Sequence, residues 1–282
     1  MRIINAADLT PLVKRLCIKA NTSLPAGVRA ALEDFRGRES WPAARQALDR
    51  IIENYGLAES GGMPICQDTG AACVFLDIGA DVHLEGDIRA AVDEGVRQGC
   101  REGYLRMSMA ADPLNPPGRV NTGDNTPALL YLDIVGGDRI TVTVVPKGAG
   151  SENMSRLKML SPAEGRDGVI GFVLAAVEEA GPNPCPPVVV GVGIGGNFDK
   201  AALLAKKALF RPPGENHADP YYAELEAELL RKINALGIGP QGFGGFTTAL
   251  SVACEKAPTH IASLPCAVNI NCHVCRHAGG VL

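Results

Sequence analysis

A mixed α+β fold is the architecture this chain predicts, and three observations carry it. The first sixty residues repeat apolar positions at helical spacing, later runs alternate β-branched residues as strands do, and the two kinds follow one another without strict βαβ alternation. A single domain over 1–282 is therefore expected, with mixed helices and sheet and with 1–60 as its helical N-terminal portion. No internal repeat, low-complexity run or linker divides the chain.

Taken in order, Thr10-Pro11 is a cap followed by proline at the first helical position, and Leu12, Val13, Leu16 and Cys17 supply an apolar stripe. Pro25 opens a second helix with Val28, Leu32 and Phe35. Ser40-Trp41-Pro42 opens a third, which should stop at Gly56. The loop Gly61-Gly62-Met63-Pro64-Ile65-Cys66-Gln67-Asp68-Thr69-Gly70 then feeds a strand over 73–78. An amphipathic helix is expected from Glu85 to about Gly103, and a polar loop over 104–127. Tyr131–Val135 and Ile140–Val145, alternating around Gly136-Gly137-Asp138, read as a β-hairpin. The loop 146–153 follows, with the composition of a backbone anion nest. Then come a helix from Pro162 to about Glu179, a proline-rich loop 181–187, a buried strand over 188–191, helices over 199–209 and 221–236, a glycine-rich loop 237–245, and strands over 247–254 and 260–269.

Composition narrows the function classes. Hydrophobic residues at 46% give the chain enough apolar mass for a real core, which excludes disorder. A net charge of −4 with no run of one sign speaks against nucleic acid as a partner. No stretch is long and apolar enough for a membrane span, and Met1-Arg2-Ile3-Ile4-Asn5 lacks a signal peptide's apolar core, so a cytoplasmic location is expected. Nine cysteines, an odd number in a reducing compartment, point to metal binding or burial rather than a disulfide framework. With 33 Gly and 20 Pro, much of the chain is shaped loop, where chemistry tends to reside.

Several motifs could carry that chemistry. In the 61–70 loop a soft-metal ligand, Cys66, adjoins the proton-transfer group Asp68, although a turn with a tucked-in thiol accounts for the same residues. Gly191-Val192-Gly193-Ile194-Gly195-Gly196 fits G-x-G-x-x-G between a strand and a helix, which would suit an NAD(P)-dependent oxidoreductase. The acid expected about 20 residues on is missing, since Arg211-Pro212-Pro213-Gly214 breaks the chain there, so close helix–strand packing is the competing account. Cys272-x-x-Cys275 has no second pair to complete a structural zinc site. Cys17, Cys73 and Cys100 fall on helix or strand patterns. Three loop thiols remain, Cys66, Cys185 and one of Cys272 or Cys275, and three thiolates suit an iron–sulfur cluster with one iron open to act as a Lewis acid. His260 reads as a structural histidine at least as readily as a catalyst. Arg106, Arg119, Lys147, Arg156 and Lys158 lie in or beside the polar loops, where an anionic substrate would need some of them.

Five segments in order resemble one family: 64–70, Asn121-Thr122-Gly123-Asp124-Asn125-Thr126-Pro127-Ala128, Lys147-Gly148-Ala149-Gly150-Ser151-Glu152-Asn153-Met154-Ser155, Gly191 to Gly196, and His260–Pro265 with Asn269–His273. Together they resemble the α-type catalytic part of the iron–sulfur hydro-lyases, the class I fumarate hydratases and L(+)-tartrate dehydratases. The resemblance implies an oxygen-sensitive [4Fe-4S] cluster on Cys66, Cys185 and Cys272, the last chosen over Cys275 because it follows an Asn-x-Asn run and precedes a His. It implies Asp68 in acid/base work, His260 at the active site, and Gln67, Arg106 and Ala149 facing a small dicarboxylate. Ala149 stands where the family often has glycine. Cys266 and Cys275 would be packing residues. The family's second catalytic part is absent from these residues, which resembles the two-subunit form in which a separate β chain completes the site within a higher hetero-oligomer. Fumarate hydration to L-malate is the expected reaction, with dehydration of L(+)-tartrate to oxaloacetate as the alternative.

Overall fold

A computed structural model describes all of residues 1–282. In chain order its elements are β1 Arg2–Asn5, α1 Leu9–Thr22, α2 Ala26–Arg38, α3 Pro42–Gly61, β2 Ala71–Gly79, β3 Val82–Glu85, α4 Ile88–Glu102, β4 Leu129–Val135, β5 Ile140–Lys147 and the one-turn α5 Ala149–Glu152. They continue with β6 Arg156–Leu160, α6 Gly165–Ala180, β7 Val188–Gly196, α7 Phe198–Ala208, α8 Pro220–Asn234, β8 Ala249–Thr259, β9 Leu264–Asn271 and β10 Ala278–Val281. The fold is α+β with mixed sheets, as the sequence predicts. No helix is long and apolar enough to cross a membrane.

The chain forms two compact units, each made of separated segments: 1–24, 54–149 and 276–282 in the first, 25–53 and 150–275 in the second. The helical stretch 1–60 is thus shared between them.

In the first unit, a four-stranded sheet of order β10-β5-β2-β4 is covered on one face by α1 and α4. Val74, Leu76, Ile78, Ile140, Val142 and Val144 present that face, and Leu9, Leu12, Val13 and Leu16 of α1 meet it. The two helices lie close because α4 offers glycine where they touch. A Cβ on Gly95 would sit 2.7 Å from the Val13 Cβ, and one on Gly99 would sit 2.8 Å from the Cys17 Cβ. In the second unit the sheet order is β6-β9-β7-β8, with α6 and α8 against one face through Val173, Val177, Leu229 and Ile233. Helix α7 lies against the other face, where Ala201, Ala205 and Ala267 pack together.

Four details differ from the sequence expectation. Strands β4 and β5 do not form a hairpin ladder, because β2 inserts between them, parallel to β4 and antiparallel to β5. Helix α3 runs through Gly56 to Gly61, since a helical glycine costs only about 1 kcal/mol relative to alanine. Residues 82–85 are a strand paired with β1, and the following helix starts at Ile88 behind an Asp87 cap. The run expected as a strand from His260 begins at Leu264, after a turn.

Candidate functional site

The Cys66 loop is held in the first unit at several separate points. The Ile65 N–H donates to the Asn21 carbonyl at 2.9 Å, and Asn54 Nδ2 donates to the Ile65 carbonyl at 3.0 Å. Gly70 closes the loop at φ +72°, and a Cβ there would meet the Lys147 carbonyl oxygen at 2.2 Å, so only glycine fits. The Asp68 N–H points at Cys66 Sγ, 3.4 Å away. Asp68 Oδ2 accepts the Ala149 N–H at 3.0 Å, leaving Oδ1 without a hydrogen bond from the chain. The Gly148 that precedes this contact is again constrained, since a Cβ on it would stand 2.9 Å from Asp68 Oδ2. Gln67 is exposed and Asp68 half-buried.

Arg276 was not singled out by sequence reasoning. The residue is 3% exposed, and its Nη2 donates to the Asp68 and Thr69 carbonyls, while Nη1 is buried with no hydrogen-bond partner. No carboxylate pairs with it, which is unusual for a buried cation. Its only sequence signal was a basic residue placed just behind the closing cysteine run.

Arg106 is exposed, its guanidinium in no ion pair, on the 104–127 loop. That loop is braced by the Asn121–Thr126 motif. Asn125 Oδ1 accepts the Ser108 N–H at 2.5 Å and its Nδ2 donates to the Arg106 carbonyl at 2.9 Å, while Asp124 binds Arg97 Nε at 2.9 Å and the Thr126 hydroxyl at 2.7 Å. The motif therefore shapes the loop that carries Arg106.

In the second unit, three loops meet at one end of the β7–β9 pair. Cys185, exposed at φ +55°, accepts the His273 N–H on its carbonyl at 3.4 Å, which ties the proline-rich loop to the Cys272 loop. Asn271 Oδ1 accepts the Cys272 N–H at 3.1 Å and lies 3.4 Å from the Ser151 hydroxyl. Behind them, Glu152 is held by Lys206 at 2.6 Å and by Asn269 Nδ2 at 3.1 Å. His260 is elsewhere. It lies in the β8–β9 turn, one full strand from Cys272, and at about 3.3 Å per residue the length of β9 alone exceeds 20 Å. There its Nδ1 accepts the Ala262 N–H at 3.1 Å, beside a cavity of about 350 Å³ lined by Tyr221, Tyr222 and Leu264.

Burial sorts the nine thiols. Cys17, Cys73, Cys100, Cys254, Cys266 and Cys275 are buried; Cys66 and Cys272 are partly exposed and Cys185 is exposed. Burial pushes the Cys254 thiol far up, and the Cys266 thiol up to about 12, so both stay protonated at neutral pH. Cys275 is engaged by its surroundings: Sγ donates to the Leu209 carbonyl at 3.6 Å and accepts Asn271 Nδ2 at 3.2 Å. No three His, Cys, Asp or Glu side chains stand together as a metal-binding group.

The glycines of 191–196 serve packing. A Cβ on Gly191 or Gly193 would come within 2.1 Å of the Ala205 or Ala201 carbonyl, and α7 fills the space a pyrophosphate would need.

Residues 10–281 match the family described as Fumarate hydratase (Fumerase). A protein of Methanocaldococcus jannaschii provisionally named L(+)-tartrate dehydratase subunit alpha is 43% identical over 273 residues, 96% of each chain. The L(+)-tartrate dehydratase subunit alpha of Escherichia coli strain K12 is 32% identical over 266 residues, 94% of this chain and 87% of that one. The protein of the same name from Shigella sonnei matches to the same extent. The chain belongs to the Fumarate hydratase (Fumerase) family.

Proposed function

From that membership we propose that this chain is the α subunit of an iron–sulfur hydro-lyase that acts on a four-carbon dicarboxylate together with a separate β subunit. The observation that carries the reading is the sorting of the cysteines. The fold buries six, and the three left outside the core are those to which the resemblance assigns a [4Fe-4S] cluster, Cys66, Cys185 and Cys272. The donors fit such a group chemically, being thiols with access, and the buried Arg276 cation without a counter-ion beside the Cys66 loop suits an anionic neighbour. Bound there, the cluster would supply an iron with an open position as a Lewis acid toward the substrate hydroxyl.

The chain's own residues account for the remaining requirements. In the dehydrating direction Asp68 accepts, at Oδ1, the proton from the carbon next to the one bearing the hydroxyl. The C–H electron pair becomes the double bond as the hydroxyl departs, and hydration runs the same path backward. The Ala149 N–H on Oδ2 and Arg276 on the backbone carbonyl orient that carboxylate. Arg106 offers a planar two-pronged donor to a substrate carboxylate, and Gln67 offers an exposed amide. His260 is retained as a candidate at the active site, tested separately because of its distance from Cys272.

Fumarate and L-malate are the proposed pair, supported by the family's description. L(+)-tartrate is the second reading, favoured by the names of the relatives. The deciding experiment assays anaerobically purified α chain with its β chain against fumarate, L-malate and both tartrates. Turnover of one pair is expected, and an assembled, iron-loaded enzyme inert toward all of them would overturn the reading. Cys66→Ser should lose iron and activity together. Asp68→Asn should keep the visible absorption and lose turnover, and unchanged kinetics would remove Asp68 from the mechanism. His260→Asn should lower kcat with iron content unchanged.

A further inference from the structure

Two of the buried thiols are hydrogen-bonded to each other. Cys17, 2% exposed on α1, and Cys100, 1% exposed on α4, meet where the glycines of α4 let the two helices close up. The Cys17 thiol donates to the Cys100 sulfur, and Asn125 Nδ2 donates to that same sulfur at 3.3 Å. These bonds, the one from Cys17 foremost, hold the Cys100 thiol below its ordinary value, although burial and the Asp124 carboxylate push it up. Cys17 shifts the opposite way. As donor to Cys100 and as a buried group it keeps its proton, against the pull of the Arg276 cation. A thiolate in contact with a protonated thiol is the pairing of a reactive cysteine with its resolving partner.

The pair is also tied to two loops of the first unit. Asn125 is 1% exposed at φ +59°, and besides Cys100 it holds the Arg106 carbonyl at 2.9 Å and the Ser108 N–H at 2.5 Å, which makes it the buried anchor of the 104–127 loop. Toward the Cys66 loop, the Cys17 carbonyl accepts Asn21 Nδ2 at 2.9 Å, and the Asn21 carbonyl accepts the Ile65 N–H.

We propose that Cys17 and Cys100 are a redox modification site: a peroxide oxidises them to an intramolecular disulfide, which frees Asn125 and loosens the loop that carries Arg106. Neither thiol is among the proposed cluster ligands, so the inference stands apart from the hydro-lyase reading. The Cys100 thiolate attacks one oxygen of the peroxide, the O–O bond breaks, and the leaving hydroxide takes up a proton to give water. The Cys17 sulfur then attacks the sulfenic sulfur of Cys100. The S–S bond forms as the S–O bond breaks, and the hydroxyl leaves as water with the Cys17 proton. Two thiols are oxidised and one peroxide is reduced. Asn125 then faces a neutral disulfide sulfur in place of a charged acceptor. Local opening of the 104–127 loop admits the oxidant, since Asn125 lies on Cys100.

Peptide mapping tests the pairing. The full chain, reduced and freed of reductant anaerobically, is treated with hydrogen peroxide, blocked with iodoacetamide and digested with trypsin. Leu16-Cys17-Ile18-Lys19 should be recovered joined to Gln98-Gly99-Cys100-Arg101, lighter than their sum by the thiol hydrogens. Cys17→Ser should leave Cys100 as a sulfenic acid that dimedone traps, and Cys100→Ser should leave Cys17 unmodified. In the native peroxide-treated chain, trypsin should cut after Arg106 and Arg119 roughly tenfold faster than in the reduced chain, and dithiothreitol should reverse the gain. Recovery of both peptides as alkylated thiols, Cys100 joined to other cysteines as often as to Cys17, equal oxidation of Cys17 in Cys100→Ser, or an unchanged rate of loop cleavage would each overturn the proposal.

Discussion

Gly70 shows how much of the site rests on single backbone positions. Replacing it with alanine puts an L side chain at φ +72° and a Cβ 2.2 Å from a carbonyl oxygen. Gly70→Ala should therefore lower stability by about 2–3 kcal/mol or more, read as a fall in the thermal midpoint, with loss of bound iron. The two C-terminal cysteines make a sharper pair. Cys272 is partly exposed, whereas Cys275 is buried with its thiol between Leu209 and Asn271. Iron analysis of anaerobically prepared protein should find Cys272→Ser depleted and Cys275→Ser near parent content. C-x-x-C spacing left these two alike, since it says nothing of which thiol a fold encloses, and it was the resemblance that chose Cys272. Arg276 escaped sequence reasoning for a related reason: one basic residue after a cysteine carries no signal of burial.

At the level of elements, the joint between α2 and α3 turns on Glu39. It is 2% exposed, and its Oε2 accepts the Thr247 N–H at 3.0 Å and the Thr247 hydroxyl at 2.6 Å, while Oε1 accepts the Trp41 N–H at 3.0 Å. Burial pushes this carboxyl up, but the hydrogen bonds from Thr247, Trp41 and Phe246 outweigh it and the net shift is downward. A lowered folded-state pKa gives stability that is present above the unfolded value of about 4.3 and lost as pH falls through the folded one. Glu39→Gln should cost about 1–3 kcal/mol at pH 7, and its thermal midpoint should converge on that of the parent chain as the pH drops below about 4. Gly193→Ala, which drives a Cβ into the Ala201 carbonyl, should unfold the second unit at lower temperature, and NAD(P) should leave the parent chain's midpoint unmoved. Long elements were legible from sequence: α1, α2, α4 and α6 through α8 show 3.6-residue periodicity and β2, β5 and β7 their apolar runs. Strands β1, β3, β6 and β10, of four or five residues, were not, since segments that short are strands only because a neighbour pairs with them. The hairpin misreading has the same origin: alternation identifies strands, but not that β2 would enter between two of them.

For the molecule as a whole, the two-subunit reading predicts that α chain alone shows little turnover and that adding β chain restores it under anaerobic conditions, with exposure to air abolishing visible absorption and activity in parallel. The order of synthesis adds a constraint of another kind. Strand β10 and Arg276 belong to the first unit, yet the ribosome makes them after every residue of the second. The Cys66 loop, translated early, waits for Arg276 to take hold of the Asp68 and Thr69 carbonyls. Until the second unit has been made, the Asp68 and Thr69 carbonyls lack that donor, while the bonds from Ile65 to Asn21 and from Asn54 to Ile65 join residues already translated.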